Sequence, residues 1–569
     1  MTFDPRSRTS RLVNITAAAV AVWLVGALFV APLCVQWTGA DSAIAGVLTA
    51  YRASARDGAL ILTALGVVVW ACRALGSRRL ARTVEPATAE SLGAIRIWIA
   101  TILLASILWE DLPSSAWLPR GMMDTDRHWL MGVLHALPIG FDALLADHAA
   151  LVLLETATIA ALGMAAIGLC TRWAVPAGAL LYLLAASILR GYSWSYHTGL
   201  IPLYALLLLS FTPCGDALSL DRWRRARRGE ALPEPDRPRL RYGIGRYLVW
   251  MAIAIPYLLA GLSKVRNTGP LWWVSENMKQ MLVGTVVEPM HFGFETTFHL
   301  LRGPDWIFGL LGLATLASEL LFVLVLVNRV ARLILPALTA AMHVGILLVQ
   351  NILFPDLIAI QAVFYDWRPL LQRLRSGVPR FVRGSAIEPI TAPVRRSAGP
   401  AVNSAFADME PSARSVVTRR QALVARGFVV LCFLAWATRT EKFPITAMQM
   451  FSRPPRLGPV EYVTAYAVHA DGSRTHARFE EWIGAVADAR YRRLLSTWAA
   501  DPGQATLLHQ FLETSARRAN RELYPGRRIE AFELEHRRWD FRRSPLDPKR
   551  GELVRLHRHT VSDAALGPS

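Results

Sequence analysis

Apolar stretches separated by short polar or arginine-bearing segments fill most of this 569-residue chain. A helix needs roughly 20 apolar residues to cross a hydrocarbon core. About eleven runs meet or approach that length: near 12–35, 58–77, 94–112, 149–170, 174–192, 196–214, 244–263, 307–327, 331–351, 353–367 and 420–439. The run at 353–367 is short and reads as a tilted or partly re-entrant segment. Arg6, Arg8 and Arg11 precede the first run, which is longer than the apolar region of a signal peptide and lacks a convincing A-x-A site. It reads as a retained spanning helix. The pattern predicts an all-α polytopic membrane bundle.

After Thr440 the periodicity changes. Tyr462 to Val468 alternates as a strand, Asp471-Gly472 signals a turn, and Thr475 to Phe479 returns as its hairpin partner. Helical patterns near 481–499 and 503–522 precede two further strand-like segments, 528–540 and 551–559. The expected divisions are 1–89 with the first two spanning helices, a transmembrane domain at 90–370, a disordered linker at 371–419, a last spanning helix at 420–440 and a small C-terminal α+β extramembrane domain at 441–569.

Composition agrees with this division. Hydrophobic residues make up 53% of the chain, too many for an ordinary soluble enzyme. The formal charge of +19 does not indicate nucleic acid, because the arginines concentrate in the segments between apolar runs. Eleven spans place the basic groups at 6–11, 73–82, 172, 222–241, 329–332 and 368–420 on one side. The expected protein is therefore a multi-pass protein of the cell (inner or plasma) membrane, with a cytoplasmic N-terminus and an extracytoplasmic C-terminal domain. The segment Arg222 to Pro238 reads as a topological anchor on anionic headgroups. Five cysteines form neither a disulfide framework nor a CxxC metal site.

Ionisable groups inside apolar runs are costly and point to function. Lys264 closes the seventh run in Leu258-Leu259-Ala260-Gly261-Leu262-Ser263-Lys264. Such an amine either snorkels to water as an anchor or, when desolvated, becomes a candidate general base. His197, which opens the sixth run, falls at a similar depth and is either an aromatic-belt residue or a proton shuttle. Glu319 and His343 lie deeper, on adjacent helices and only roughly 6 Å apart in depth. They read either as a Glu–His tie between helices or as the polar wall of a cavity near Lys264. Trp272 and Trp273 lie flat at the interface or cover a flat cofactor ring. Glu155 is a further candidate, and Arg96 reads as a headgroup contact.

The run Ala260-Gly261-Leu262-Ser263-Lys264, followed by Trp273-Val274, resembles the AG-x-x-K…W-V segment of the vitamin K-dependent gamma-carboxylases. It is similar too to that of their relatives with the horizontally transferred transmembrane (HTTM) domain. His343 with Ile352-Leu353-Phe354, and Tyr196-His197-Thr198-Gly199 with Asp216 to Asp221, look like further parts of the pattern. The resemblance spans roughly 90–370. It departs at Ser263, where the carboxylases carry a second lysine, and at Glu276, near an expected glycine. The resemblance implies that Lys264 deprotonates a reduced quinone such as vitamin K hydroquinone, in carboxylase chemistry of the lyase type. His197, His343 and Glu319 would orient the cofactor or relay protons, and an external protein or peptide would be modified. The alternative is a non-enzymatic membrane protein that acts in maturation or export through its C-terminal domain.

Overall fold

The computed structural model describes residues 84–366 except 124–128, 138–139, 193–196, 270 and 288–291. It also describes 419–562 except 453–457, 484–494, 496–504, 524–526 and 544–550, and parts of 54–73. The first apolar run and the linker at 371–418 lie outside the described residues, as does most of the helical pattern at 481–499.

Seven described helices are long and apolar enough to cross a membrane. They are α1 (Ala89–Trp109), α2 (His148–Ile167), α3 (Thr171–Tyr192), α5 (Leu240–Thr268), α7 (Trp306–Leu321, continued to Leu326 by a tighter turn), α8 (Arg329–Gln350) and α10 (Arg419–Ala437). Leu153, Leu180, Leu310 and Leu333 stay more than half exposed on their outer faces. Lipid covers such a surface, because water would leave an apolar patch of this extent uncompensated.

The expectation of about eleven spans is corrected at two of the described runs. The run at 196–214 yields only α4 (Leu200–Leu209), and the run at 353–367 yields α9 (Pro355–Ala359) with a 3₁₀ turn to Phe364. Ten helical residues rise roughly 15 Å, half of a hydrocarbon core. The starts of these half-length helices meet inside the protein, where Gly199 N–H donates to Asp356 Oδ2 at 2.8 Å. Gly199 has φ +72°, and a Cβ there would lie 1.9 Å from Tyr182 Oη, so only glycine fits. In the run at 58–77, the described helix covers Asp57–Gly66.

Helix α5 is the central post. Its 29 residues span roughly 44 Å, and it packs against α1, α4, α7 and α10. Its start pairs with the chain entering α1 through reciprocal Ala87–Arg239 backbone hydrogen bonds. The same end holds Arg96, which is fully buried and donates to Cys214 O at 2.7 Å and to Leu218 O. This overturns the reading of Arg96 as a headgroup contact: the guanidinium satisfies carbonyls of the turns that follow α4. Glu155 likewise has a local task, accepting from Leu112 N at 3.2 Å.

The C-terminal region begins with a small hairpin, β1 (Glu441–Lys442) and β2 (Ile445–Thr446). A four-stranded antiparallel sheet follows in the order β4-β3-β5-β6, from β3 (Val460–His469), β4 (Arg474–His476), β5 (Ile529–Trp539) and β6 (Glu552–Thr560). Helix α11 (Ala505–Glu522) buries Leu508, Phe511, Leu512, Ser515, Ala516 and Ala519, a stripe at helical spacing that covers one sheet face. At the sheet's lower end Tyr462, Trp539 and Phe541 pack on Val283 of α6 (Ser275–Val286). Gln280 clasps Gly458 with two hydrogen bonds, at 2.9 and 3.3 Å. The sheet thus rests on the end of the bundle where α5 and α8 finish.

Candidate functional site

At that end α5, α6, α7 and α8 line a cavity of about 470 Å³. Most of its wall is apolar, including Met278, Met281, Leu282 and Met342, with Lys264, Glu319, His343 and Gln350 among the polar residues. The volume lies within the range of roughly 300–1,000 Å³ usual for small-molecule sites, which are likewise apolar with a few polar groups.

Lys264 is 2% exposed, so it does not snorkel to water. Its Nζ lies 2.8 Å from Glu319 Oε1 and 5.3 Å from the ring centre of Trp272. A charge this deep is tolerated because it is paired and rests on an aromatic face. Close approach of α5 and α7 makes the pairing possible. A Cβ on Gly261, one turn before Lys264, would lie 2.8 Å from Leu320 Cδ2 and 3.2 Å from Leu320 N. The bare glycine lets the two helices touch at the height where lysine meets glutamate.

Glu319 and His343 do not bond each other as the helix-tie reading has it. Glu319 belongs to Lys264, while His343 Nε2 lies 2.9 Å from Tyr257 Oη. Both still line the one cavity. Glu319 Oε2, His343 Nδ1 and Gln350 Oε1 are buried and have no partner among the described residues. Their demand for hydrogen bonds is unmet by the described residues, and a bound polar group would satisfy it.

The other three sequence candidates separate. Trp272 lines the cavity and donates from Nε1 to Phe451 O at 2.8 Å, whereas Trp273 packs beside it without reaching the wall. His197 is not on the wall either. Its Nε2 lies 3.1 Å from Thr446 Oγ1 and 3.9 Å from Glu441 Oε2, so the ring anchors the β1–β2 hairpin. Burial first, and then the Lys264 charge, hold His197 down at about 4, which keeps it neutral at physiological pH.

The strap between β2 and the sheet escapes a motif search altogether. Ser263 Oγ donates to Ala447 O at 2.8 Å, Thr268 Oγ1 to Ser452 O at 2.7 Å, and Asn267 Nδ2 to Ser452 Oγ at 2.8 Å. These bonds lay Met450 and Phe451 over the cavity's end. Ser263 therefore takes part in closing the cavity. Tyr257 is also new, although it stands two turns before Lys264, a spacing that puts both on one face of α5.

Residues 84–366 match the family model described as the HTTM domain. That stretch holds α1 to α9 and every polar residue of the cavity wall. No curated protein and no solved structure matches the chain.

Proposed function

We propose, for a chain that is an HTTM-domain membrane protein, that the cavity binds an apolar hydroxyl-bearing molecule such as a reduced quinone and that Lys264 takes its proton. The observation that carries this reading is the Lys264–Glu319 pair in the wall of an otherwise apolar cavity. Across 2.8 Å the pair can hold its shared proton on either side. With the proton on Glu319, the Lys264 amine has a free lone pair and accepts the proton of a hydroxyl held against it. Glu319 is then the proton's store and Trp272 the cation's cover.

A flat ring with oxygens at its edge fits the site, because the unpartnered atoms of Glu319, His343 and Gln350 stand beside a methionine- and leucine-lined space. A reduced quinone, when bound, would supply reactivity towards oxygen and from it a base able to take a carbon-bound proton. Met450 and Phe451 cover the end of the cavity nearest the sheet. On this reading the protein is a quinone-dependent modifying enzyme of the carboxylase or epoxidase kind. In a hydroquinone-dependent epoxidation assay on the protein in lipid, Lys264→Ala is expected to abolish turnover. Full activity in that variant would end the proposal.

A second reading draws on the outer strand β6, where Leu553, Val554 and Leu556 are each about half exposed on an edge with no paired strand among the described residues. Open edges of this kind recruit extended segments of other chains. A maturation or export partner bound there would be lost from the purified protein when residues 552–560 are replaced by a glycine-serine linker, with quinone binding unchanged.

A further inference from the structure

We infer that Gln361 and Tyr257 fix His343 as the tautomer with its proton on Nδ1, so that His343 meets the ligand as a hydrogen-bond donor and not as a base. The inference about the ligand rests on the cavity reading above, while the tautomer follows from the hydrogen bonds alone.

The chain of bonds has one consistent direction. Gln361 Nε2 lies 3.1 Å from Leu357 O and 3.0 Å from Tyr257 Oη. A backbone carbonyl only accepts, so the amide group facing Leu357 O must be the NH₂, which fixes the side chain's orientation. One of its protons goes to Leu357 O and the other to the Tyr257 oxygen. That oxygen, already accepting, has its own proton to place, and His343 Nε2 stands 2.9 Å away. If Tyr257 donates to Nε2, the one proton left without a partner among the described residues is Nδ1–H, on a ring that lines the cavity. If Nε2–H donated to Tyr257, two groups would be left unmet instead of one, the phenolic proton away from the cavity wall and a bare Nδ1, and each such buried group costs about 1–3 kcal/mol. A doubly protonated ring would orphan the same phenolic proton. Tyr257 is 5% exposed and Gln361 2%, so water does not relieve that cost at the surface.

A neutral imidazole that accepts at Nε2 carries its hydrogen on Nδ1. Nδ1 is the ring nitrogen left without a partner among the described residues, on a histidine that lines the cavity. It therefore offers a donor, while Glu319 Oε2 across the same wall offers an acceptor. The complement is a ligand with a carbonyl or phenolic oxygen for His343 and a hydroxyl for Glu319. Tyr257 and Gln361 touch no ligand in this scheme; they are positioning residues that choose which face of the imidazole chemistry is presented.

The test is nitrogen NMR of the full-length protein in lipid bilayers with ¹⁵N-labelled histidine, the His343 resonances being those that vanish in His343→Gln. The expected wild-type pattern is a protonated Nδ1 and a bare, hydrogen-bonded Nε2. A protonated Nε2, or an imidazolium at neutral pH, would overturn the inference. In Tyr257→Phe the selection should disappear and the ring should become a mixture of tautomers; Gln361→Leu should weaken it in the same sense. An unchanged Nδ1–H signature in a folded Tyr257→Phe protein would equally overturn it. Titration with 1,4-naphthohydroquinone separates the two levels. Its affinity should fall about tenfold in Tyr257→Phe, the loss of one well-placed hydrogen bond. If wild type does not bind this probe, the cavity reading fails while the tautomer stands or falls on its spectrum.

Discussion

The Lys264–Glu319 pair concentrates the energetic risk of this protein in two atoms. Removing one partner of a buried pair leaves an uncompensated charge and typically costs about 3–5 kcal/mol. Glu319→Gln in the detergent-solubilised protein is therefore expected to lower thermal stability by that order, read as a shift in the melting midpoint. The double change Lys264→Met with Glu319→Leu should recover much of the loss while leaving no base in the cavity. A single variant as stable as wild type would mean that the pair is not buried as described. A second residue-scale effect belongs to the sheet. Burial works to raise Glu535, but hydrogen bonds from Arg474 and Arg537 outweigh it and leave the carboxyl below the ordinary glutamate value. A group lowered on folding stabilises above its unfolded value, and that contribution is lost as pH falls through the carboxylate range to the folded value. Hydrogen exchange of β5 in the full chain should accelerate on acidification below about pH 4, and Glu535→Gln should remove that part of the pH dependence. Neither partnership is legible in the chain, since 55 residues separate Lys264 from Glu319 and 61 separate Arg474 from Glu535.

At the scale of elements, legibility follows the length of the apolar run. The helices at 89–109, 148–167, 240–268 and 329–350 fall on runs that hydropathy alone delimits, because a lipid-facing helix needs little else. The strands β3, β5 and β6 fall where side chains alternate. What hydropathy cannot show is where a greasy run stops being helix. In the run at 196–214, α4 gives way to turns from Ser210, and in the run at 353–367 the helix opened by Pro355 tightens to 3₁₀ at Ile360 and ends at Phe364. The helix contacts depend on small residues whose role is visible only once the partner is placed. Gly261→Val should push α5 off Leu320, separate Lys264 from Glu319 and destabilise the protein by about 1–3 kcal/mol, the usual result of overpacking. The check is again a melting midpoint, with loss of naphthohydroquinone binding at temperatures where the variant remains folded. A variant that melts as wild type does and binds as tightly would show that the close approach at Gly261 is not needed for the site.

For the whole molecule, the arrangement of charge and of the strap makes one further commitment. Arg222, Arg241, Arg329 and Arg332 gather at the end where α5 and α8 begin, and the sheet, the strap and the Lys264 cavity occupy the other. Basic residues are retained on the cytoplasmic side during insertion, so the sheet should face out. The orientation matters to the chemistry, because the strap then shuts the cavity against the external medium and an external substrate must act through Met450 and Phe451 or displace them. In a background with the five native cysteines changed to alanine, Arg517→Cys on α11 and Arg228→Cys at the basic end give opposite expectations. A membrane-impermeant maleimide should label the first in intact cells and the second only after the membrane is opened. The reverse result would turn the molecule over and remove the case for an external substrate. The Lys264–Glu319 cavity would remain in place, but its strap would then open towards the cytoplasm, and any macromolecular substrate would have to be sought there.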